Sequence, residues 1–503
     1  MCLGKMLDKQ KNRGSLQPYL RNVNVRWFTF DLSDMKEMRF EADEESRFGL
    51  QPGDLVICEG GEPGRAAVWK GQAASAKIQK ALHRIRFRPE EYDPSFAMYY
   101  LYYGTITNRF APHYTGTTIK HLTGKALSRV EFPVPPLSEQ RRIVEKIEEL
   151  FSDLDAGVAA LERAKANLKR YRAAVLNAAV KGKLTAAWRA KHKDVEPASK
   201  LLERILAERR RKWEADQLAK FAAAGKPPPT NWRAKYVEPA SPDTTNLPEL
   251  PKGWCWATLE ALANLVGGIT KDQKRSNQPG MREVPYLRVA NVQRGFLDLS
   301  EMKNIFAPEE DIVDLRLEVG DVLFTEGGDR DKLGRGWVWE GEILECIHQN
   351  HIFRARLVSK QMQSRFVSHH GNTFGQEWFT KAGKQTTNLA SINLGILRRF
   401  PVSVPPPSEQ REIVAQLDER LSQIEAADTA IDHGLHRAAR LRQSILKRAF
   451  EGKLVPQDPH DEPASVLLER IRLGLGDERN GASAAGRSKA GRNRTNPAAR
   501  TAG

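Results

Sequence analysis

The sequence predicts an α+β chain: two strand-rich globular regions alternate with two long helices that pair as an antiparallel coiled coil. Three observations predict it. Residues 138–184 recur as residues 408–454 without a gap, with 17 identities in 47 positions, which makes them a true internal repeat. Both copies carry apolar residues at 3-4 spacing, the seam of a coiled coil. The regions ahead of the two copies share a second framework of their own at offsets of 267 and 270 residues.

The helices have legible ends. Pro135-Pro136 and Pro405-Pro406 forbid helix before them. Ser138 and Ser408 offer N-cap oxygens. Glu139 and Glu409 fall in the first turn, where the helix dipole favours an acid. Arg141 and Arg411 stand where a capping box would need Glu or Gln. Gly182 and Gly452 supply the stop. The first seam includes Ile143, Ile147, Leu154 and Leu161, and the second Ile413, Leu417, Ile424 and Ile431. About 43 helical residues rising ~1.5 Å each give a rod of roughly 65 Å.

Taken in order, residues 1–132 read as a first globule of short strands punctuated by Gly and Pro, such as Asp54-Leu55-Val56-Ile57-Cys58. Within it, residues 94–103 predict a helix whose aromatic face serves core packing. Residues 133–206 are the first helical spacer. A second amphipathic helix starts at Ala198 and carries the basic run Arg209-Arg210-Arg211-Lys212, either a solvated face or a contact with a polyanion or partner. Residues 207–250 hold the end of that helix and a Pro-rich linker. Residues 251–400 mirror the first globule, residues 401–472 the first spacer, and residues 473–503 predict a disordered basic tail with almost nothing to bury.

The mirrored framework is specific. Tyr19-Leu20-Arg21 matches Tyr286-Leu287-Arg288, Asn24 matches Asn291, and Gly64-Arg65 matches Gly334-Arg335. Residues between these points differ, so two similar scaffolds present two unlike surfaces. The second globule opens with Leu250-Pro251-Lys252-Gly253-Trp254-Cys255-Trp256, for which the first has no room. The chain begins at the counterpart of about residue 268, so either the first globule lacks its opening strand or the start is placed too late.

Composition sets outer bounds. A chain of 503 residues with 40% hydrophobic residues holds two to four domains with real cores. The net charge of +16 favours a polyanionic partner. Four scattered cysteines with no CxxC pair fit a reducing compartment, and no apolar run reaches membrane-spanning length, so a cytoplasmic location without membrane contact is expected. There is no P-loop: Gly182-Lys183-Leu184 lacks the earlier Gly and the following hydroxyl. No Asn/Asp-Pro-Pro-aromatic motif and no metal-ligand cluster stands out, so no catalytic or metal-binding residue is assigned.

The duplicated P-P-x-S-E-Q run at helix entry, the duplicated Gly-Lys-Leu at exit, the Leu-Pro-x-Gly-Trp-x-Trp opening, Tyr-Leu-Arg and the Thr117-Thr118-Ile119-Lys120-His121-Leu122 run occur together. In this the chain resembles the specificity subunits of type I restriction-modification systems, from residue 1 to about 472. The resemblance implies two target-recognition domains, each reading half of a split, asymmetric site on double-stranded DNA. It implies that the paired helices act as spacer and as docking surface for two modification (methyltransferase) subunits, to which restriction subunits add. It implies a non-catalytic chain that binds no cofactor, with S-adenosylmethionine, ATP and Mg on the partner subunits. The other readings are a coiled-coil scaffold that binds only proteins and a self-sufficient DNA methyltransferase or nuclease.

Candidate DNA-binding residues are the recurring Arg21, Asn24 and Arg65 with Arg288, Asn291 and Arg335. Their recurrence in domains that should read different sequences argues for scaffold or phosphate duty. Lys120 and His121 precede the first rod, and Gln385, Thr387 and Asn388 stand in the like place before the second. Base readers are expected where the globules differ, as in 89–115 and 358–384.

Overall fold

Helices α1 (Pro94–Ile106), α2 (Leu137–Val180), α3 (Ala198–Ala223), α4 (Ser364–Ala382) and α5 (Pro407–Phe450) carry the long packing faces of the chain. The protein is described by a computed structural model over residues 1–8, 10–118, 120–272, 278–328, 332–385 and 390–473. Thr387, Asn388 and nearly all of the basic tail lie outside the described residues. The chain divides into two compact units, Met1–Glu162 with Ile431–Gly503 and Arg163–Ala430. Helix α2 therefore passes from the first unit into the second, and α5 passes back.

In the first unit a four-stranded antiparallel sheet runs in the order Cys2–Leu3, Leu82–Ile85, Leu55–Cys58, Ala66–Val68. Beside it, Ser15–Leu20 pairs antiparallel with Lys36–Phe40 and parallel with Lys77–Ile78. Helix α1 lies between sheet and rod. Its Asp93 N-cap accepts from the Ser95 and Phe96 amides, with Pro94 in the first turn. The aromatic residues of α1 are core: Phe96, Tyr99 and Tyr100 pack with Ile143, Ile147 and Phe151 of α2 and with Ile445 and Leu446 of α5.

The second unit repeats the plan. Ile352–Leu357 pairs with both Ala263–Gly267 and Val322–Thr325. Met281–Leu287 pairs antiparallel with Lys303–Pro308 and parallel with Ile347–His348. Helix α4 takes the place of α1, with Phe366 packed against Val175 and Ala179 of α2 and Ile413 and Leu417 of α5. An added strand pair joins Cys255–Thr258 to Pro401–Val404.

The beginning of α2 thus packs on the end of α5 in one unit, and the end of α2 on the beginning of α5 in the other. Only an antiparallel pair does this. Ion pairs follow the same register: Arg442 meets Asp155 in the first unit, and Arg172 meets Glu425 at 3.7 Å in the second. The seam is driest at the rod ends, where Ile143, Ile147, Ile413 and Leu417 are buried. Leu154 and Leu161 are half-buried, and Leu161 lies over Gly434, whose missing side chain admits it. Phe151, which replaces the aliphatic Leu421 of the second copy, joins the seam to Tyr99.

Two expectations about the helix entries need correction. Both helices start one residue before the serine, at Leu137 and Pro407, so Ser138 and Ser408 lie inside the first turn. The Ser138 hydroxyl donates to Asp461 instead of capping. The working residue of Ser-Glu-Gln is Gln. Gln140 donates to the Pro135 carbonyl (2.9 Å) and accepts the Asp93 amide (2.8 Å), while Gln410 donates to the Pro405 carbonyl (2.8 Å) and accepts the Gln363 amide (2.9 Å). One buried amide therefore ties rod entry to the start of α1 or α4. At the exits Gly182 and Gly452 both have φ near +67°. The next amides, of Lys183 and Lys453, donate to the Ala178 and Arg448 carbonyls at 2.8 Å, so both helices end in the same left-handed turn.

Candidate nucleic-acid interface

The recurring candidates build one loop twice. In the first unit Asn24 is 2% exposed. Its Oδ1 accepts the Arg21 amide at 2.9 Å, and its Nδ2 donates to the Asp31 and Asp34 carbonyls at 2.9 and 3.3 Å. In the second, Asn291 accepts the Arg288 amide at 2.9 Å and donates to the Asp298 and Glu301 carbonyls at 2.8 and 3.1 Å. Arg21 reaches the Asp34 carbonyl and carboxylate, and Arg288 the Glu301 carbonyl at 2.8 Å. The neighbouring Lys36 ammonium, then the Arg21 guanidinium, hold the Asp34 carboxyl below the usual range. Arg65 donates to the Asn22 carbonyl at 2.8 Å and Arg335 to the Val289 carbonyl at 3.1 Å.

These six side chains are turned into the protein. Asn24 and Asn291 have every side-chain polar atom engaged by backbone, and the four arginines spend donors on loop carbonyls. Recurrence at matched positions here reflects a shared brace, because an asparagine that satisfies three backbone groups can be exchanged only with the loop itself.

The brace gathers three loops at one edge of each globule. In the first unit, His121 bridges to both Thr115 and Gly60. The Leu122 amide donates to the Glu59 carbonyl at 2.7 Å, and Tyr114 Oη to the Pro63 carbonyl at 3.2 Å. A side chain at Gly60 would strike His121, and one at Gly61 would strike Asn22. Loops 21–24 and 59–65 and residues 115–118 and 120–122 thus share one cluster. Lys120 and His121 are exposed there, beside Glu59 and the Glu62–Arg65 pair.

The second unit gathers loop 288–291, Glu326-Gly327-Gly328 and residues 383–385 and 390–392 in the same way. The Ile392 amide donates to the Glu326 carbonyl at 2.8 Å, and Gly327 pairs with Ser391. His121 therefore registers with Ser391 and Lys120 with Ala390, not with Thr387 and Asn388. Gln385 lies on the strand Lys384–Gln385 paired to Ala390–Ser391, so of the three second-globule loop candidates it alone is placed at the cluster.

The windows 89–115 and 358–384 are partly structural. Helix α1 takes 13 of the 27 residues of the first and α4 takes 19 of the 27 of the second, and Phe96 to Leu101 and Phe366 to Asn372 are buried. What stays exposed lies at the helix ends and beyond them: Pro89, Glu90, Ile106, Asn108, Arg109, Ala111, Pro112 and Thr115 in the first window, and Lys360, Gln361, Gln376, Glu377, Lys381 and Ala382 in the second. The basic run is likewise partly spent, since Arg209 donates to the Ala263 carbonyl at 3.1 Å and Arg210 pairs with Glu214. Among the described residues no group of His, Cys, Asp and Glu could hold a metal ion. No described helix is long and apolar enough to cross a membrane. Burial pushes the Cys58 thiol up to about 11 and the Cys346 thiol up to about 12, so neither is a poised nucleophile.

Comparison with known proteins agrees with this architecture. Residues 38–163 match the family model for the type I restriction modification DNA specificity domain. The chain is 23% identical over 468 residues to the specificity subunit of the type I restriction enzyme EcoKI of Escherichia coli (strain K12), covering 90% of this chain and 88% of that protein. It is 25% identical over 478 residues, with the same coverage, to the StySPI specificity subunit of Salmonella potsdam. Among solved structures, a chain from a study of complex assembly and conformational transition of a type I R-M system shares the fold, with a TM-score of 0.61 at 18% identity over 90% of this chain and 96% of that one. The HsdS subunit of Thermoanaerobacter tengcongensis does so with a TM-score of 0.53 at 19% identity, over 90% and 95%. By the matched domain and by relatives that span most of its length, the chain is similar to the specificity subunits of type I restriction-modification systems.

Proposed function

We infer that this chain is the DNA-recognition subunit of a type I restriction-modification complex, without catalysis of its own. The observation that carries the reading is the brace built twice, bond for bond, beneath loops that differ. A common scaffold with unlike loops is what two half-sites of different sequence require. The similarity to type I specificity subunits and the positive net charge support it.

On this reading residues 1–132 and 251–400 are the two target-recognition domains, and the paired helices are the spacer and docking surface for two modification subunits, with restriction subunits joining them. Double-stranded DNA is the ligand, and methyl transfer and cleavage belong to the partners, which hold S-adenosylmethionine, ATP and Mg. Lys120, His121 and Gln385 are the candidates nearest the differing loops. Arg21, Arg65, Arg288 and Arg335 serve the interface by holding those loops.

The test is to co-express the chain with its modification subunits in a methylation-free host and map methylated positions by single-molecule sequencing. A two-part asymmetric motif is expected. Replacing the second globule with that of a relative should alter one half of the motif only. Methylation of a continuous motif, or by the chain alone, would refute the reading.

A further inference from the structure

Matched positions beside the rods enclose unlike interiors in the two units. In the first, the hairpin 25–30 turns through Trp27 and Phe28, which meet Tyr99 and Tyr102 of α1 and Phe151 of α2. The five rings pack on one another. Between ring centres, Phe28 lies 5.2 Å from Tyr99 and 4.9 Å from Tyr102, Trp27 4.9 Å from Tyr102, and Tyr99 5.9 Å from Phe151. Arg442 of α5 lies over Phe151 and pairs with Asp155. Phe28 has a φ of +70°, which is unfavourable for a bulky residue, so the packing of its ring holds the turn.

The second unit keeps the backbone and removes the rings. The Phe28 amide donates to the Ala66 carbonyl, and the Gly295 amide to the Gly336 carbonyl, each at 3.2 Å. At the offset of 267, Arg294 and Gly295 replace Trp27 and Phe28. At 270, His369, Asn372 and Leu421 replace Tyr99, Tyr102 and Phe151, while Trp337 in place of Ala67 adds one ring. The result is a cavity of about 480 Å³ lined wholly by the second unit, between α2, α4, α5 and the hairpin 292–297. A Cβ at Gly295 would meet nothing within 4 Å. Small-molecule sites commonly span about 300–1,000 Å³. Leu176, Leu421 and Trp337 give the cavity an apolar wall. His369 is 4% exposed and packs edge-on against Trp337, and its Nε2 is buried with no hydrogen-bond partner. Asn372 cannot supply one, because its amide is taken up by both backbone groups of Gly336, at 2.7 and 3.0 Å. Burial, then Arg365 and Arg172, lower the imidazole to about 4, so it is neutral at pH 7. A buried polar atom without a partner is costly. Around the less buried part stand four cations, Lys169, Arg172, Arg294 and Arg365, against two acids, Asp418 and Glu425. Arg172 pairs with Glu425 at 3.7 Å and Arg365 with Asp418 at 2.9 Å, which leaves the lining positive on balance.

We propose that this cavity of the second unit binds a small phenolic carboxylate. Its ring takes the space that Phe28 and Tyr102 fill in the first unit. Its hydroxyl meets His369 Nε2, and serves either tautomer because a hydroxyl both donates and accepts. Its carboxylate faces the cationic rim. A ring without the hydroxyl leaves Nε2 unanswered, and a ring without the acid leaves the positive balance unanswered.

The experiment titrates the full chain calorimetrically with three probes: 4-hydroxyphenylacetate, phenylacetate, which lacks the hydroxyl, and tyrosol, which lacks the carboxylate. Saturable one-to-one binding of the first is expected, with each of the others weaker by about tenfold. His369→Phe should bring 4-hydroxyphenylacetate down to the level of phenylacetate and leave phenylacetate unchanged. Leu421→Phe, which restores the ring of the first unit, should abolish binding of both. Thermal unfolding shows whether each variant folds, and the three probes on the unaltered chain decide the matter without them. Absence of saturable 4-hydroxyphenylacetate binding up to about 1 mM overturns the proposal, as does equal binding of all three probes or binding that survives Leu421→Phe. Tyrosol binding as tightly as the acid also overturns it, by making the occupant a neutral phenol such as a tyrosyl side chain. None of these outcomes bears on DNA recognition.

Discussion

Arg356 holds Asp321 through two parallel hydrogen bonds, Nε to Oδ1 and Nη2 to Oδ2, each 2.8 Å. Asp321 is 1% exposed and also accepts the Glu318 amide at 2.8 Å. The first unit repeats the arrangement in Arg86, Asp54 and Gln51. A fork of this kind fixes the strand Val322–Thr325 against Ile352–Leu357 below the loop cluster. Removing the guanidinium strands a buried carboxylate. Arg356→Leu should therefore destabilise the second unit by about 3 kcal/mol, at the low end for a buried pair because Arg356 keeps contact with water. Arg356→Lys should recover only part of this, since an ammonium cannot form both bonds. Urea unfolding followed by hydrogen exchange of each unit checks both.

Asn291→Ala removes three hydrogen bonds from a buried loop. A cost of roughly 2–3 kcal/mol is expected, with faster exchange at the Arg288 amide that Asn291 accepts. Asn24→Ala should act alike in the first unit. An Asn24→Ala protein that keeps its stability but loses one base preference would instead make Asn24 a reader.

Lys120 is exposed at the loop cluster. On the proposed function, Lys120→Ala should lower affinity for all DNA sequences about equally and reduce the salt slope of binding by about one. Titrations of the complex with modification subunits at several salt concentrations measure it. An unchanged slope removes Lys120 from the interface.

Inserting four residues into α2, about one helical turn, should change the spacer between the two halves of the methylated motif. Sequencing of methylated DNA reads this directly. An unaltered spacer would mean that the rods do not set it.

His348, His369 and His370 are buried, and burial lowers each to about 4. In the unfolded chain they take protons near the ordinary value of about 6.5. Between these values the unfolded state binds more protons, so stability rises with pH across the window and is lost as pH falls from about 6.5 towards 4. The second unit carries all three, while the first has His83, also lowered mainly by burial. Hydrogen exchange at pH 7 and pH 5 should show the second unit loosening more. His348→Phe should flatten that difference.

The sequence by itself determined the periodic and the repeated features. A 3-4 apolar spacing sustained over two rods demands a partner along its whole seam, so the helix pair was legible, with its ends within two residues. The duplicated Tyr-Leu-Arg and Gly-Arg points marked a common scaffold because their backbone-satisfying roles tolerate little exchange. Tertiary structure alone decided what those residues do. That Asn24 turns inward, that Gln140 and not Ser138 secures the rod entry, and that α1 and α4 bury their middles all depend on contacts between segments far apart in the chain. Hydrogen-bond partners and burial are properties of that packing, and the spacing of residues along one strand carries no record of them. Glu139 and Glu409 show it most directly: one residue type at one repeat position accepts from Thr185, Arg189 and Trp254 in the second unit and from no counterpart of these in the first.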